Sequence, residues 1–218
     1  MKQLAIFLGS LLYSTIGLCQ GAVIMQDKTF IYQHTKDSAL LKEIGKGDYK
    51  SMSSLEQESV YWIACMRRNP PAFFSQYVKP FLDQFPELQS SSARSLEKEL
   101  KAQSPLPVLI PASNLNKAAV QQVHFLTESR RFSHSGPKGK SFQQRMADVG
   151  VRECAGENLF EGKSDPMVSL MLLLIDHGVE GFGHRRALLN PAFTKIGIGV
   201  TNNLSGGTML VVQDFSCL

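Results

Sequence analysis

The chain has 218 residues, of which 43% are hydrophobic and 19% are charged. This composition supports a packed domain and excludes global disorder. The formal net charge is only +4, and no basic stripe with interleaved aromatic residues occurs, so the sequence argues against nucleic-acid binding. Weak attraction to anionic surfaces is compatible with this charge.

The N-terminus has the features of a secretory signal. A short basic start is followed by an apolar run over residues 4–18, and small residues stand at Gly17 and Cys19. These features predict a signal peptide over residues 1–19, cleaved before Gln20. The run is shorter than a membrane span and no second apolar stretch approaches that length, so we expect no transmembrane span in the mature protein. The predicted location is secreted or periplasmic, within the cell envelope.

Export permits disulfide bonds, and three cysteines would remain after cleavage. Cys217 follows the last predicted strand, and Cys154 precedes a Gly-Glu-Asn turn, so we expect these two to pair. Cys65 falls on an apolar helix face and is expected to remain a free, buried thiol.

Along the chain, residues 20–55 show no sustained periodicity and predict an irregular N-terminal extension with a short helix at 37–44. A folded domain is expected over residues 56–218. Its first predicted helices cover 55 to Asn69 with Ser54 as the cap, and 72–84 with a break at Pro80. An exposed helix is predicted over 93–102, a helix capped by Ser113 or Asn114 over 115–131, and two more over 141–149 and 166–175. Two strands, over 195–201 and 208–215, are predicted to be joined by a turn at 202–207.

The first of these strands has an unusual alternation. Ile196, Ile198 and Val200 alternate with Gly197 and Gly199, so one face is branched and apolar while the other is bare backbone. Such a strand allows another element to approach closely.

Polar residues that suit a functional site recur beside glycines. They are His134, Glu157, His184 and the acidic alternatives Asp176 and Glu180. Each alone is explained as a turn or capping residue, and His124 is expected to be structural. Together, two imidazoles and carboxylates in one domain suit zinc binding or proton transfer.

An ordered set of motifs spanning about residues 57–216 resembles the CAP superfamily (the SCP-like extracellular domain), in particular its bacterial branch. The motifs are Phe132-Ser133-His134-Ser135-Gly136, Gly156-Glu157-Asn158-Leu159, Gly183-His184-Arg185, Leu189-Asn190-Pro191-Ala192-Phe193, Ile196-Gly197-Ile198-Gly199-Val200 and Val212-Gln213-Asp214-Phe215. Ile63, Ala64, Arg67, Asn69 and Pro70 resemble the opening helix of bacterial members.

The resemblance implies an α+β fold, a three-layer α-β-α sandwich, with a cleft that can bind zinc. His134 and His184 would be the metal-binding histidines and Glu157 the first acid, with Asp176 or Glu180 as the second. The expected function is an exported binding module for a lipid, glycan, peptide or other envelope ligand, with a divalent metal, zinc, as its expected cofactor. The alternative is a metal-assisted hydrolase in which Glu157 is the general base on a zinc-bound water.

Overall fold

The structure is a computed structural model that describes residues 28–163, 165–204 and 208–217. The predicted signal peptide, the beginning of the extension and the centre of the turn at 202–207 lie outside these ranges. The helices are α1 (Ser38–Ile44), α2 (Ser54–Arg68), α3 (Pro70–Phe73), α4 (Lys79–Gln84), α5 (Ser91–Ala102), α6 (Ser113–Ser129), α7 (Phe142–Asp148), α8 (Pro166–Ile175) and α9 (Gly183–Leu188). The strands are β1 (Ile110–Pro111), β2 (Ala155–Lys163), β3 (Lys195–Leu204) and β4 (Thr208–Ser216).

The described strands form one sheet in the order β1-β3-β4-β2. β4 pairs antiparallel with both β3 and β2, whereas the short β1 runs parallel to β3. The register sets Glu157 opposite Asp214 and Asn158 opposite Gln213. β2 therefore lies at an edge of the sheet and carries polar side chains next to the central strand β4.

Helices cover both faces of this sheet, which makes the three-layer α-β-α sandwich that was expected. On one face Phe160, Ile198 and Val211 join the main core, together with α1 to α5 and α8. On the other face Leu159 and Val212 pack against Val123 of α6. Alternate residues of each strand enter opposite cores because side chains along a strand point to alternate faces.

The two strand glycines allow α6 to lie directly on β3, as the sequence predicts. A Cβ atom at Gly197 would come within 2.1 Å of the Leu115 carbonyl carbon, and one at Gly199 within 2.5 Å of the Ala119 carbonyl oxygen. Any side chain at these two positions would force the helix away from the sheet.

Most helix ends agree with the sequence, but two caps were assigned wrongly. α2 is capped by Ser53, whose capping box with Glu56 places the cap one residue before Ser54. α6 has no side-chain cap from Ser113 or Asn114. Instead, the backbone N–H of Ser113 donates to Asp48 at 2.9 Å, a partner 65 residues earlier that local patterns cannot reveal.

The predicted break at Pro80 does not occur. A π-helical segment, Phe74–Val78, runs directly into α4, and Pro80 stands in the first turn of that helix. Proline lacks an N–H and crowds the preceding turn, and here the preceding turn is the wider π-helical segment.

Two further expectations need correction. α5 was expected to be exposed, but its Ala93, Leu96 and Leu100 are buried, which means that a Ser-, Glu- and Lys-rich helix still contributes an apolar stripe to the core. His124 was expected to be structural, but it is exposed on α6.

The described part of the N-terminal extension packs onto the domain. The helix predicted at 37–44 is confirmed as α1. Phe30, Leu40 and Ile44 are buried in the main core. His34 donates to or accepts from the hydroxyls of Tyr77 at 2.9 Å and Tyr61 at 2.8 Å. The domain boundary at residue 55 stays a prediction.

The predicted disulfide is confirmed. Cys154 and Cys217 are bonded, with their Cα atoms 5.7 Å apart, and the bond ties the start of β2 to the residue after β4. Cys65 is a free, half-buried thiol, and burial raises its pKa to about 11. It is therefore protonated and unreactive at neutral pH.

Candidate functional site: two histidine–carboxylate pairs

The first pair joins the loop after α6 to strand β2. Nδ1 of His134 lies 2.7 Å from Oε1 of Glu157. The His134 side chain is 55% exposed, whereas that of Glu157 is 1% exposed. The buried carboxylate of Glu157 is therefore hydrogen-bonded to Nδ1 of His134, while about half of the His134 side chain is exposed to solvent.

Side chains from α6 and α7 hydrogen-bond to the loop that carries His134. Arg145 of α7, whose side chain is 8% exposed, donates through Nη2 to Glu157 Oε2 and to the carbonyl of His134. Gln122 of α6 donates through Nε2 to the carbonyls of Ser133 at 3.0 Å and Ser135 at 3.2 Å. The position of His134 is therefore set by side chains from α6, α7 and β2 together.

The second pair lies where α8 ends and α9 begins. Nδ1 of His184 is 2.7 Å from Oδ1 of Asp176, and Oδ2 of Asp176 accepts the backbone N–H groups of His184 at 2.9 Å and Arg185 at 3.2 Å. Asp176 has a left-handed backbone, φ 53°, as the C-cap of α8. The His184 side chain is only 16% exposed. One carboxylate therefore caps the start of α9 and orients its histidine.

The structure distinguishes between the two acids that the sequence left open. Asp176 contacts His184, whereas Glu180 is exposed in the short turn Glu180–Phe182. His184 also differs from the expectation of a loop residue, because it is the second residue of α9.

Two buried arginines support the second pair, and the sequence did not identify their role. Arg185 is fully buried and donates to the carbonyls of Leu174 at 2.7 Å and Ile175 at 2.9 Å, while its guanidinium lies 4.2 Å from the Phe182 ring. Burial lowers its pKa. Arg67, also fully buried, donates to the carbonyls of Pro107, Leu188, Asn190 and Phe193.

Both pairs meet strand β2 through adjacent residues. Glu157 holds the imidazole of His134, and Asn158 donates through Nδ2 to the carbonyl of His184 at 3.2 Å and to Gln213 at 3.2 Å. Adjacent strand residues point to opposite faces of a sheet. The two histidines are thus linked through β2 while each keeps its own carboxylate.

A further acid, Asp214, lies against the first pair. It is fully buried opposite Glu157, and neither of its carboxyl oxygens has a hydrogen-bond donor among the described residues. Burial, with a smaller contribution from the charge of Glu157, raises its pKa well above the ordinary value. The sequence signals for this residue are an acid within the apolar run of β4 and its place in the motif Val212-Gln213-Asp214-Phe215.

Zinc was expected on His134 and His184. Each imidazole has the carboxylate partner on Nδ1 that metal-binding histidines often have. However, the described residues gather no group of three or more histidine, cysteine, aspartate or glutamate side chains that could hold a metal ion. Two imidazoles alone give fewer protein ligands than the three of a usual catalytic zinc site, and zinc on His134 and His184 stays a prediction. In the same part of the chain, no helix is long and apolar enough to cross a membrane.

Comparisons with known proteins place these features in a family. The sequence profile described as "CAP: Cysteine-rich secretory protein family" matches residues 92–215. An uncharacterised protein of Bacillus subtilis strain 168, YkwD, is 28% identical over 104 residues, which cover 47% of this chain and 37% of YkwD.

Three solved structures are also similar. An extracellular protein containing an SCP domain from Bacillus anthracis is 26% identical with a TM-score of 0.42, over 51% of this chain and 34% of that one. An outer surface protein of Borrelia burgdorferi is 22% identical with a TM-score of 0.43, over 51% and 78%. Venom allergen-like protein 4 of Schistosoma mansoni is 13% identical with a TM-score of 0.47, over 76% and 89%.

The aligned region spans little more than a third of YkwD and of the Bacillus anthracis chain. The fold assignment therefore rests on the strands and helices themselves, and family membership rests on the profile match, which covers more than half of the chain. Both histidine–carboxylate pairs lie in the matched region, and this chain belongs to the CAP family, the Cysteine-rich secretory protein family.

Proposed function

We propose that this protein is exported and acts outside the cytoplasm as a CAP-family binding module, with the His134–Glu157 pair contacting the polar head group of a lipid or another envelope ligand. The observation that carries the proposal is the contrast in exposure within this pair. A half-exposed imidazole is anchored on a carboxylate that is 1% exposed. Such an arrangement pre-orients a polar group toward solvent at little entropic cost on binding.

The chemistry of this imidazole suits a polar head group. Because Glu157 accepts at Nδ1, that nitrogen carries the proton in the neutral ring, and Nε2 is left as an acceptor. Within the described residues Nε2 of His134 makes no hydrogen bond. It can accept from a hydroxyl when the ring is neutral and donate to a phosphate when the ring is protonated.

An extracellular or envelope location is supported by three observations. The Cys154–Cys217 bond is of the kind that persists in oxidising compartments. Two of the similar structures are described as an extracellular protein and an outer surface protein. The family carries the description "secretory". N-terminal sequencing of protein from the native envelope should begin at or near Gln20, and recovery of intact Met1 in the cytoplasm would contradict export.

Zinc at His134 and His184 stays a prediction of modest affinity, micromolar or weaker, because the donor set is incomplete. Calorimetric titration of the metal-free protein and of the double histidine-to-alanine variant tests it. The metal-assisted hydrolase would need a zinc ion held by more protein ligands than His134 and His184 supply, so the binding module is the function proposed.

Vesicle co-sedimentation tests the binding module. Vesicles containing phosphatidylglycerol are compared with vesicles of phosphatidylcholine alone, using the mature, disulfide-bonded protein. The His134→Ala variant should bind the anionic vesicles several-fold more weakly. His177→Ala is the matched control, because His177 is exposed on a turn outside both pairs. Absence of binding, or an equal loss in the two variants, would count against the proposal.

A further inference from the structure

The positive charge of the chain is concentrated in residues 129–147, which lead from the end of α6 through the His134 loop into α7. This segment contains five of the 23 Lys and Arg residues and none of the 19 Asp and Glu residues. The remainder of the chain has 18 of the first kind and 19 of the second. The formal net charge of +4 therefore arises from this segment, which also carries the proposed head-group contact.

Two of the five cations are neutralised within the fold. Arg145 is buried and donates to the carboxylate of Glu157. Lys140 pairs with Asp148, with 2.6 Å between Nζ and Oδ2. These two cations therefore do not count toward attraction of a partner.

The other three cations, Arg130, Arg131 and Lys138, are exposed. None of them forms an ion pair or a side-chain hydrogen bond within residues 28–163, 165–204 and 208–217. The acid that precedes them is Glu128 in the last turn of α6, which is exposed and likewise has no ion pair in these ranges. Three unpaired positive charges thus stand against one negative charge.

The second half of the loop projects from the domain. The backbone N–H of Gly136, which is buried, donates to the carbonyl of Lys140 at 2.8 Å and closes a turn. Residues 137–140 are all exposed, and a Cβ atom added to Gly139 would have no neighbouring atom within 4 Å. A projecting, positively charged tip is suited to contact with a flat anionic surface, because it needs no groove in either partner.

Two of the three unpaired cations have backbone conformations that disfavour long side chains. Arg130 has φ 51° and Lys138 has φ 56°, both in the left-handed region. Glycine and asparagine adopt this conformation at lower cost. The backbone therefore gives no reason for a cation at either position, and the charge of the side chain is the property that needs an explanation.

From these observations we propose that residues 130–140, the basic loop, dock the protein onto a bilayer that contains anionic phospholipid, with Arg130, Arg131 and Lys138 facing the phosphates. Each Lys or Arg close to such a surface adds attraction without requiring a fixed contact geometry. This suits side chains that no neighbour holds in place. The inference rests on the proposed function, because it gives the lipid partner of the His134 contact a negative charge.

Flotation of the mature, disulfide-bonded protein with vesicles of phosphatidylcholine and phosphatidylglycerol measures the docking. Neutralising the three cations together, as Arg130→Asn, Arg131→Gln and Lys138→Asn, should weaken partitioning on the order of 100-fold. Asparagine is used at the two left-handed positions because it tolerates that backbone. Arg131→Gln alone, which changes no left-handed position, should weaken partitioning about fivefold. Added salt should weaken binding of the wild type.

The matched control removes three exposed cations from the opposite edge of the sheet. Lys42, Lys46 and Lys50 lie on α1 and the segment after it, next to β1, whereas the His134 loop is joined to β2. Replacing these three by Gln changes the net charge by the same amount and should weaken partitioning less than about threefold, because the charges are far from the docked surface. Urea denaturation checks that both triple variants remain folded.

Three results would overturn the inference. They are no binding of the wild type to the anionic vesicles, equal weakening by the two triple variants, and full displacement by soluble glycerol phosphate, which would indicate a discrete head-group site. The proposed function is judged separately by His134→Ala. If that variant binds like the wild type while the basic-loop variant does not, the head-group contact is wrong and the docking surface stands.

Discussion

The two histidine–carboxylate pairs have the same hydrogen-bond distance but differ in the solvent exposure of the histidine. Nδ1 lies 2.7 Å from a carboxylate oxygen in both. His134 is 55% exposed, while His184 is 16% exposed. The carboxylate of the first pair is balanced by the Arg145 guanidinium, and that of the second is satisfied largely by backbone N–H groups.

The difference in exposure and in carboxylate partners suits the first pair to ligand binding and the second to stabilising the fold. His134 lies on a loop held by side chains, and its imidazole can meet a partner without any change in the core. Asp176 and His184 lie at a helix junction, where the same carboxylate ends one helix and starts the next. The proposed recognition role of the first pair and the stabilising role of the second predict mutational effects of different size.

The largest effect is expected from removing the disulfide. Replacing Cys154 and Cys217 together by serine should lower the free energy of unfolding by about 3–4 kcal/mol, because the bond closes a loop of 63 residues. Since Cys154 begins the segment that leads to Glu157, hydrogen exchange should rise more at 155–158 than at 176–185. Chemical denaturation and exchange measure the two quantities. An equal rise in hydrogen exchange at 155–158 and 176–185 would show that the disulfide stabilises both pairs alike.

The next effect concerns the helix junction. Asp176→Ala should destabilise the protein by about 2–3 kcal/mol, because two backbone N–H groups and a histidine lose their acceptor. Asp176→Asn, which retains an oxygen and tolerates a left-handed backbone, should cost less. Urea denaturation compares the variants. Equal losses would mean that the cap contributes little and that charge dominates.

Replacing Asp214 should change the free energy of unfolding by less than the Asp176 variants do, in the stabilising direction, and the change should depend on pH. Burial raises its pKa above the 3.8 of an exposed carboxyl, so the folded state binds its proton more tightly than the unfolded state. The contribution of this group to stability therefore falls as pH rises from 3.8 through the raised pKa. Asp214→Asn, which mimics the neutral acid, should raise the free energy of unfolding at pH 7.

The pH profile is the control for that prediction. The gain of Asp214→Asn should shrink as pH is lowered through the raised pKa and vanish well below pH 3.8, where the carboxyl is protonated in both the folded and the unfolded state. Asp148→Asn, at a half-exposed acid on α7, should shift stability by less than about 0.5 kcal/mol. A pH-independent gain would show that packing, not the proton, is responsible.

The smallest effect is expected at the exposed imidazole. His134→Ala should change the free energy of unfolding by less than about 0.5 kcal/mol, whereas His184→Ala should cost about 1 kcal/mol or more because its ring is largely buried. Thermal and urea denaturation measure both. A greater loss for His134→Ala would reverse the roles assigned to the two pairs.

Much of the architecture is predictable from local patterns. The glycine alternation in β3 predicts close contact, and the structure shows α6 there. The Cys154–Cys217 bond follows from its position beside the last strand. The same patterns indicate His134, Glu157 and His184 as site candidates. These features are local because they depend on periodicity or on turn residues.

What the sequence misses depends on contacts between distant segments. Asp48 caps a helix 65 residues later, and Arg67 reaches carbonyls 40 to 126 residues away. Asp176 and Glu180 are both acids upstream of His184, and the sequence does not choose between them. The contact between His184 and the carboxylate of Asp176, the left-handed C-cap of α8, is seen only in the folded chain. The unpartnered atoms of Arg145 are likewise invisible until α6 and α7 are packed together.

The strand order has a consequence for the time at which this protein can fold during export. β4 is the last of the described strands in the chain, yet it lies between β3 and β2. A chain emerging from a translocation channel from its N-terminus can pair β3 with the short β1, but it cannot add β2 to the sheet until residues 208–216 have appeared. Until then β2 has no partner among the described strands, and Cys154 has no Cys217 to join. An export chaperone that shields residues 155–163 during that delay would therefore increase the yield of folded protein more than one acting on the helices that precede them.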